Sequence, residues 1–220
     1  MDQRLLRLTG SAQRGESTIM SVRHHTVLVA AAAALGSALA LTTPAHASSH
    51  EEAGARHGAV AAADHTYLQF TKRSSPQNSR LSLVLVKASD PSHPRTLGSW
   101  RAGSGNGSKD TCASNAGWLP NGTYKIKQFF NHHNGGSRGI NGISWWISDH
   151  KCHSGRSRTE LFIHSEMLPS GGAGSSEPYR WDGDSDYKSN GCIKLKPSDI
   201  RKLRSLYTSG SPKPTELYVR

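Results

Sequence analysis

The chain has 220 residues, 35% of them hydrophobic, with 27 Lys and Arg against 16 Asp and Glu and a formal net charge of +11. Its basic residues are scattered, with no basic helix and no array of stacking aromatics, which argues against a nucleic-acid binder. No apolar run is long enough to favour a permanent membrane span.

The N-terminus reads as an export leader. Arg23, His24 and His25 precede an apolar run from Thr26 to Leu41. Thr42-Thr43-Pro44 breaks that run, and Ala45-His46-Ala47 supplies an A-x-A cleavage site. Basic flank, short apolar core and small-residue exit define a secretory signal over residues 1–47. Met20 is a second candidate start, and residues 1–19 show no pattern. Without residues 1–47 the chain keeps 23 Lys and Arg against 14 Asp and Glu, a net of +9. A secreted protein of that charge is drawn to an anionic cell-wall polymer. Residues 48–63 carry no trustworthy periodicity and read as a linker.

A single domain is expected over 64–220. His65–Lys72 and Arg80–Lys87 are β-type runs separated by Ser74–Ser79, the pattern of a hairpin with a longer loop. Thr96–Ala102 predicts a third strand, ended by the glycine-rich 103–107. Pro120-Asn121-Gly122 is a turn leading into a strand over Thr123–Phe130. His132–Gly136 reads as a turn. Gly142–Ser148 and Glu160–His164 predict two more strands, and neighbouring Trp145 and Trp146 should face opposite sides. After residue 192 comes one helix, with Ser198 as its cap and Ile200, Leu203, Leu206 and Tyr207 at helical spacing. Thr215–Val219 predicts a closing edge strand. The sum is a mostly-β, sandwich- or barrel-like domain with one helix near its end.

Three cysteines outside the cytosol leave one over. The economical reading pairs Cys112 with Cys152, closing a loop of about forty residues worth roughly 3–4 kcal/mol on chain-entropy grounds. Cys192 is then free. The alternative pairs Cys192 with one of the others and makes it inert. The surroundings of Cys192 favour the first reading. It follows Gly191, whose bare backbone leaves N–H groups open, and it lies downstream of His164 at the end of an apolar run. A thiol with a rigid imidazole base is the minimum apparatus for acyl transfer. All twelve histidines precede Cys192, and His164 is the last of them.

Ile163-His164-Ser165 followed by Ser189-Asn190-Gly191-Cys192-Ile193-Lys194-Leu195 resembles the signature of the L,D-transpeptidase catalytic domain, the YkuD-like family. Gly98-Ser99-Trp100 and Leu119–Tyr124 are similar to the proline-x-glycine-x-tyrosine turn of those domains. The resemblance implies a secreted cell-wall enzyme without a cofactor. It casts Cys192 as nucleophile, His164 as base, and the Ser165 carbonyl as the group that holds the imidazole ring. Gly191 and Cys192 N–H groups, with the Asn190 amide, would face the oxyanion. Tyr187 and Ser189 would line the groove, and Lys194 would meet a substrate carboxylate, unless it is simply a solvated strand residue. The partner implied is a peptidoglycan stem peptide. Two features depart from the pattern: Asn190 stands where a histidine is usual, and the spacer from His164 to Ser189 is long. That spacer is expected to form a loop that shapes or covers the groove.

Other readings carry less. Asp149–His153 looks metal-competent but lacks a second ligand pair at recognisable spacing, so a half-cystine in a polar loop is expected there. Asp182, Asp184 and Asp186 begin like a calcium loop, but Tyr187 and Ile193 stand where glycine and glutamate are needed. A sortase-like enzyme would want a threonine before the cysteine. Hydrolysis at the same site (an L,D-carboxypeptidase), a toxin variant of the domain, and a non-catalytic wall-binding module with structural cysteines are the remaining alternatives.

Overall fold

The computed structural model describes residues 62–220. The expected signal peptide and all but the end of the linker lie outside the described residues. The described residues form ten strands: β1 (His65–Thr71), β2 (Ser79–Lys87), β3 (Asp90–Ser104), β4 (Gly122–Asn134), β5 (Asn141–Ile147), β6 (His150–Lys151), β7 (Ser157–Arg158), β8 (Phe162–His164), β9 (Ile193–Leu195) and β10 (Glu216–Val219). One α-helix, α1 (Pro197–Ser209), follows β9. Eight strands close a barrel in the order β1-β10-β4-β5-β8-β9-β3-β2, and β6 with β7 forms a separate hairpin. The domain is mostly β, as its composition and alternation imply. No helix among the described residues is long and apolar enough to cross a membrane.

Strand alternation builds the interior. Leu68 and Phe70 of β1 stand opposite Leu83 and Leu81 of β2, and all four are buried. Period-two patterning gives each strand one apolar face for the core. In β2 the alternation fails from Leu83 onward, where the register with β3 shifts and three successive residues, Val84 to Val86, are buried. Trp145 points inward and is fully buried, with Phe129 and Tyr207 around it at ring-centroid distances of 5.0 and 5.4 Å. Trp146, its neighbour, lines a surface cavity.

Several boundaries differ from the expectations. β3 begins at Asp90, well before Thr96. Its first half pairs with β2 alone, so Pro91 and Pro94 occupy an edge where a missing N–H is tolerated. β4 runs through His132 and His133, and the turn begins only after Asn134. β10 is not an edge strand: it lies between β1, in parallel, and β4, antiparallel, and so completes the barrel. Lys196, not Ser198, is the N-cap of α1. Pro197, with its fixed φ and no N–H to lose, takes the first helical position and moves the start upstream. Ile200, Leu203 and Tyr207 form the buried face of the helix, which lies against β3 and β5.

Candidate active site

The site is assembled at one end of β8 and β9, two short strands that pair in parallel. Their register sets Ile163 opposite Ile193 and His164 opposite Lys194. Both isoleucines are fully buried in the core. Alternation therefore sends Phe162 and His164 of β8, Lys194 of β9, and Cys192 just ahead of β9, to the opposite face. His164 and Cys192 are thus diagonal neighbours on adjacent strands. Both line one cavity of about 910 Å³, together with Trp146, Arg158, Glu166 and Asn190. The described residues hold one disulfide, between Cys112 and Cys152, and Cys192 is a free thiol.

His164 Nδ1 lies 3.2 Å from the carbonyl oxygen of Ser165. A neutral ring that donates from Nδ1 leaves Nε2 as its acceptor. Burial pushes the His164 pKa down to about 3, the charge of Lys194 adds to this, and the bond to Ser165 opposes it. Burial pushes the Cys192 thiol up to about 11, against a hydrogen bond from the Phe162 backbone and the charges of Arg158 and Lys194. The resting pair is therefore a neutral thiol beside a neutral imidazole. The thiol donates to the Glu160 carbonyl at 3.7 Å.

The turn that presents the thiol is braced by Ser189. Its hydroxyl accepts N–H bonds from Gly105 at 3.0 Å and Gly191 at 3.2 Å, and donates to the Cys192 carbonyl at 2.6 Å. One donor and two acceptor positions are thereby filled. Ser189 borders the cavity, but its hydroxyl holds backbone. The Gly191 N–H, expected to face an oxyanion, is engaged by the same hydroxyl. Ser104 Oγ adds a further tie to the Gly191 carbonyl at 3.2 Å.

Tyr187 does not join the cavity. It ends a 3-10 turn, Asp184–Tyr187, and its ring lies between the Arg101 guanidinium at 4.1 Å and the edge of Trp181 at 4.8 Å. Its backbone approaches β3 so closely that a Cβ at Gly103 would stand 2.0 Å from the Tyr187 carbonyl oxygen. Lys194 is buried, not solvated. Its ammonium is paired with Glu166 and donates to the Lys188 carbonyl at 3.0 Å. Burial raises the Glu166 pKa and the bond from Lys194 opposes this. Asn190 is exposed at the cavity rim, and its side-chain amide has no protein partner among the described residues.

Three groups at the site escaped the sequence reading: Arg158, Glu166 and the Glu160 carbonyl. Glu166 sits two residues beyond His164, just past the end of β8, and lines the same cavity. Arg158 left no signal, because a basic residue in a short polar hairpin looks like surface. Around the disulfide, ligand atoms of Asp110, Cys112 and His153 converge, but the Cys112 sulfur is spent in the bond to Cys152. A second acidic group joins Glu177, Asp182 and Asp186, where Arg180 already bridges Glu177 and Asp182 at 3.2 and 2.5 Å.

The barrel and its cavity define a β domain in which the free thiol of Cys192 and the imidazole of His164 share a wall. No protein-family model and no curated protein matches the chain. Among solved structures it is similar to Bd1075 of Bdellovibrio bacteriovorus, at 11% identity and a TM-score of 0.44, over 70% of this chain. The match spans about half, 47%, of the Bdellovibrio chain.

Proposed function

We propose that this protein is a cysteine-dependent L,D-transpeptidase that acts on peptidoglycan stem peptides outside the cytosol. The observation that carries this reading is the His164–Cys192 pair: a free thiol diagonally across two parallel strands from an imidazole whose Nδ1 is held by the Ser165 carbonyl. The Cys112–Cys152 disulfide supports an oxidising compartment. The net positive charge suits an anionic wall polymer.

In this mechanism the thiolate forms during attack, because both partners rest in their neutral forms. The thiol turns from the Glu160 carbonyl toward His164 Nε2 and surrenders its proton as sulfur adds to the amide between the L-centre of a diamino acid and a terminal D-alanine. The Cys192 N–H and the Asn190 amide are the donors left for the oxyanion, since Ser189 occupies Gly191. His164 then protonates the departing D-alanine amine. A side-chain amine of a second stem attacks the thioester, loses its proton to His164, and forms a 3→3 cross-link. Water in place of the amine gives a trimmed tripeptide, the carboxypeptidase outcome.

Intact-mass spectrometry after incubation with a tetrapeptide stem, or with a carbapenem, tests the reading. The expected result is one covalent adduct on Cys192, absent from Cys192→Ala and slowed by about a hundredfold or more in His164→Ala. Product analysis separates cross-linked dimer from tripeptide. An adduct that forms equally on Cys192→Ala, or no adduct with either reagent, removes the proposal.

A further inference from the structure

Arg158 is a buried charge that this mechanism leaves unused. Only 6% of it is exposed. Its guanidinium meets carbonyl oxygens: Nη1 donates to Thr111 and, at 3.4 Å, to Trp118; Nη2 donates to Gly117 and Asn190, each at 3.4 Å. None of the ion pairs among the described residues includes it. Carbonyl dipoles solvate a cation without cancelling its charge. A buried charge lacking a counter-ion is costly unless something at the site uses it.

The location of its partners suggests the use. Three of the four carbonyls belong to the segment that carries Cys112, and the fourth belongs to Asn190, two residues before the thiol. One guanidinium thus joins the disulfide-bonded loop to the turn that presents Cys192. Gly191 is fitted to it: its φ is +114°, a region that favours glycine, and a Cβ there would stand 1.9 Å from Arg158 Nη2. The charges acting on the Cys192 thiol are Arg158 from β7, Glu160 ahead of β8 and Lys194 of β9, with His164 of β8 on the same wall; Arg138, Glu166 and Lys188 also line the cavity. Of the two cations acting on the thiol, Lys194 is already paired with Glu166. Arg158 has no carboxylate among the described residues.

We propose that Arg158 is a positioning residue which fixes the Asn190–Gly191 turn and supplies the standing positive charge against which an anion forms at Cys192. The inference rests on reading Cys192 as the nucleophile. Its charge lowers the thiol pKa against the effect of burial.

Alkylation of the full chain, disulfide intact, tests it with two reagents of equal reach and different charge. Iodoacetamide is neutral and iodoacetate is anionic, and adducts on Cys192 are followed by mass. The wild type should favour iodoacetate, relative to iodoacetamide, more than free cysteine does. Arg158→Gln should lower that ratio by about threefold or more, and Arg158→Lys should keep most of it. The pH midpoint of iodoacetamide reaction should rise in Arg158→Gln, each unit of rise slowing the reaction about tenfold at fixed lower pH. A purely structural role changes both rates together and leaves the ratio alone. An unchanged ratio in folded Arg158→Gln overturns the proposal. Should that variant not fold, a wild-type ratio equal to that of free cysteine, or one indifferent to added salt, overturns it. A salt-sensitive ratio above that of free cysteine upholds it. If the ratios behave as expected while stem and carbapenem fail to acylate Cys192, the transpeptidase reading falls and the role of Arg158 stands.

Discussion

Two side chains on neighbouring strands set the charge state of the site. His164 is held neutral chiefly by burial, with its pKa near 3 against an ordinary value of 6.5. A depressed value means that the unfolded chain binds a proton there which the folded chain refuses. The stability His164 contributes is therefore present above about pH 6.5 and is lost as pH falls toward 3. Thermal unfolding across that window should show a steeper decline for the wild type than for His164→Gln; parallel curves would contradict the assigned burial. Lys194 and Glu166 form the second determinant, an ion pair with side chains only 10% and 8% exposed. Lys194→Met strands the Glu166 carboxylate and should cost about 3–5 kcal/mol in urea unfolding, with most of it regained in Lys194→Met/Glu166→Leu. Additive losses in that cycle would show that the two groups do not act as a pair.

At the scale of elements, the β6–β7 hairpin and the loop around Cys112 form one unit. The disulfide joins them covalently, and Arg158 joins them again through the Thr111, Gly117 and Trp118 carbonyls. Cys112→Ser/Cys152→Ser should lower unfolding stability by about 2–4 kcal/mol. It should also speed amide exchange at residues 190–192, because the loosened loop is the one that anchors Arg158. Unchanged exchange there would mean that the disulfide acts on the loop alone. The elements were unequally legible beforehand. β1, β2 and β5 have alternating or β-branched runs, and their positions follow from that pattern. The start of β3 was hidden by Pro91 and Pro94, which argue against a strand until one knows that only one side is paired. Nearness in sequence to Cys192 does not make Tyr187 its neighbour in space, because the 3-10 turn carries its ring to Arg101 of β3. Arg158 was illegible in principle: its role comes from three carbonyls about forty residues upstream, which no local pattern announces.

The described domain is built on a closed sheet, and closure depends on its last strand. β10 contributes four residues, yet it pairs with β1 on one side and β4 on the other. Leu217 is fully buried and Val219 nearly so. Removing Glu216–Arg220 unpairs both neighbours and exposes that interior, so the truncated chain should lose its cooperative urea transition and its near-ultraviolet aromatic dichroism. Retention of both would show that the barrel does not need to close. A short run such as Thr215–Val219 reveals its own alternation but not its neighbours, so its sequence reads as an edge.

Parallel pairing of β8 with β9 has an architectural result. A parallel pair cannot be joined by a tight turn, so the chain must leave one end of the sheet and return to the other. Here the return path is residues 165–192. Its two ends carry Glu166 and the Ser189 brace, while its middle supplies Pro178 to the cavity wall. The offset between imidazole and sulfur is set by Ile163 against Ile193 in the interior, not by the length of that path. Residues 173–181 therefore form an exchangeable cassette: a shorter or longer replacement re-cuts the mouth of the cavity while His164 and Cys192 keep their places.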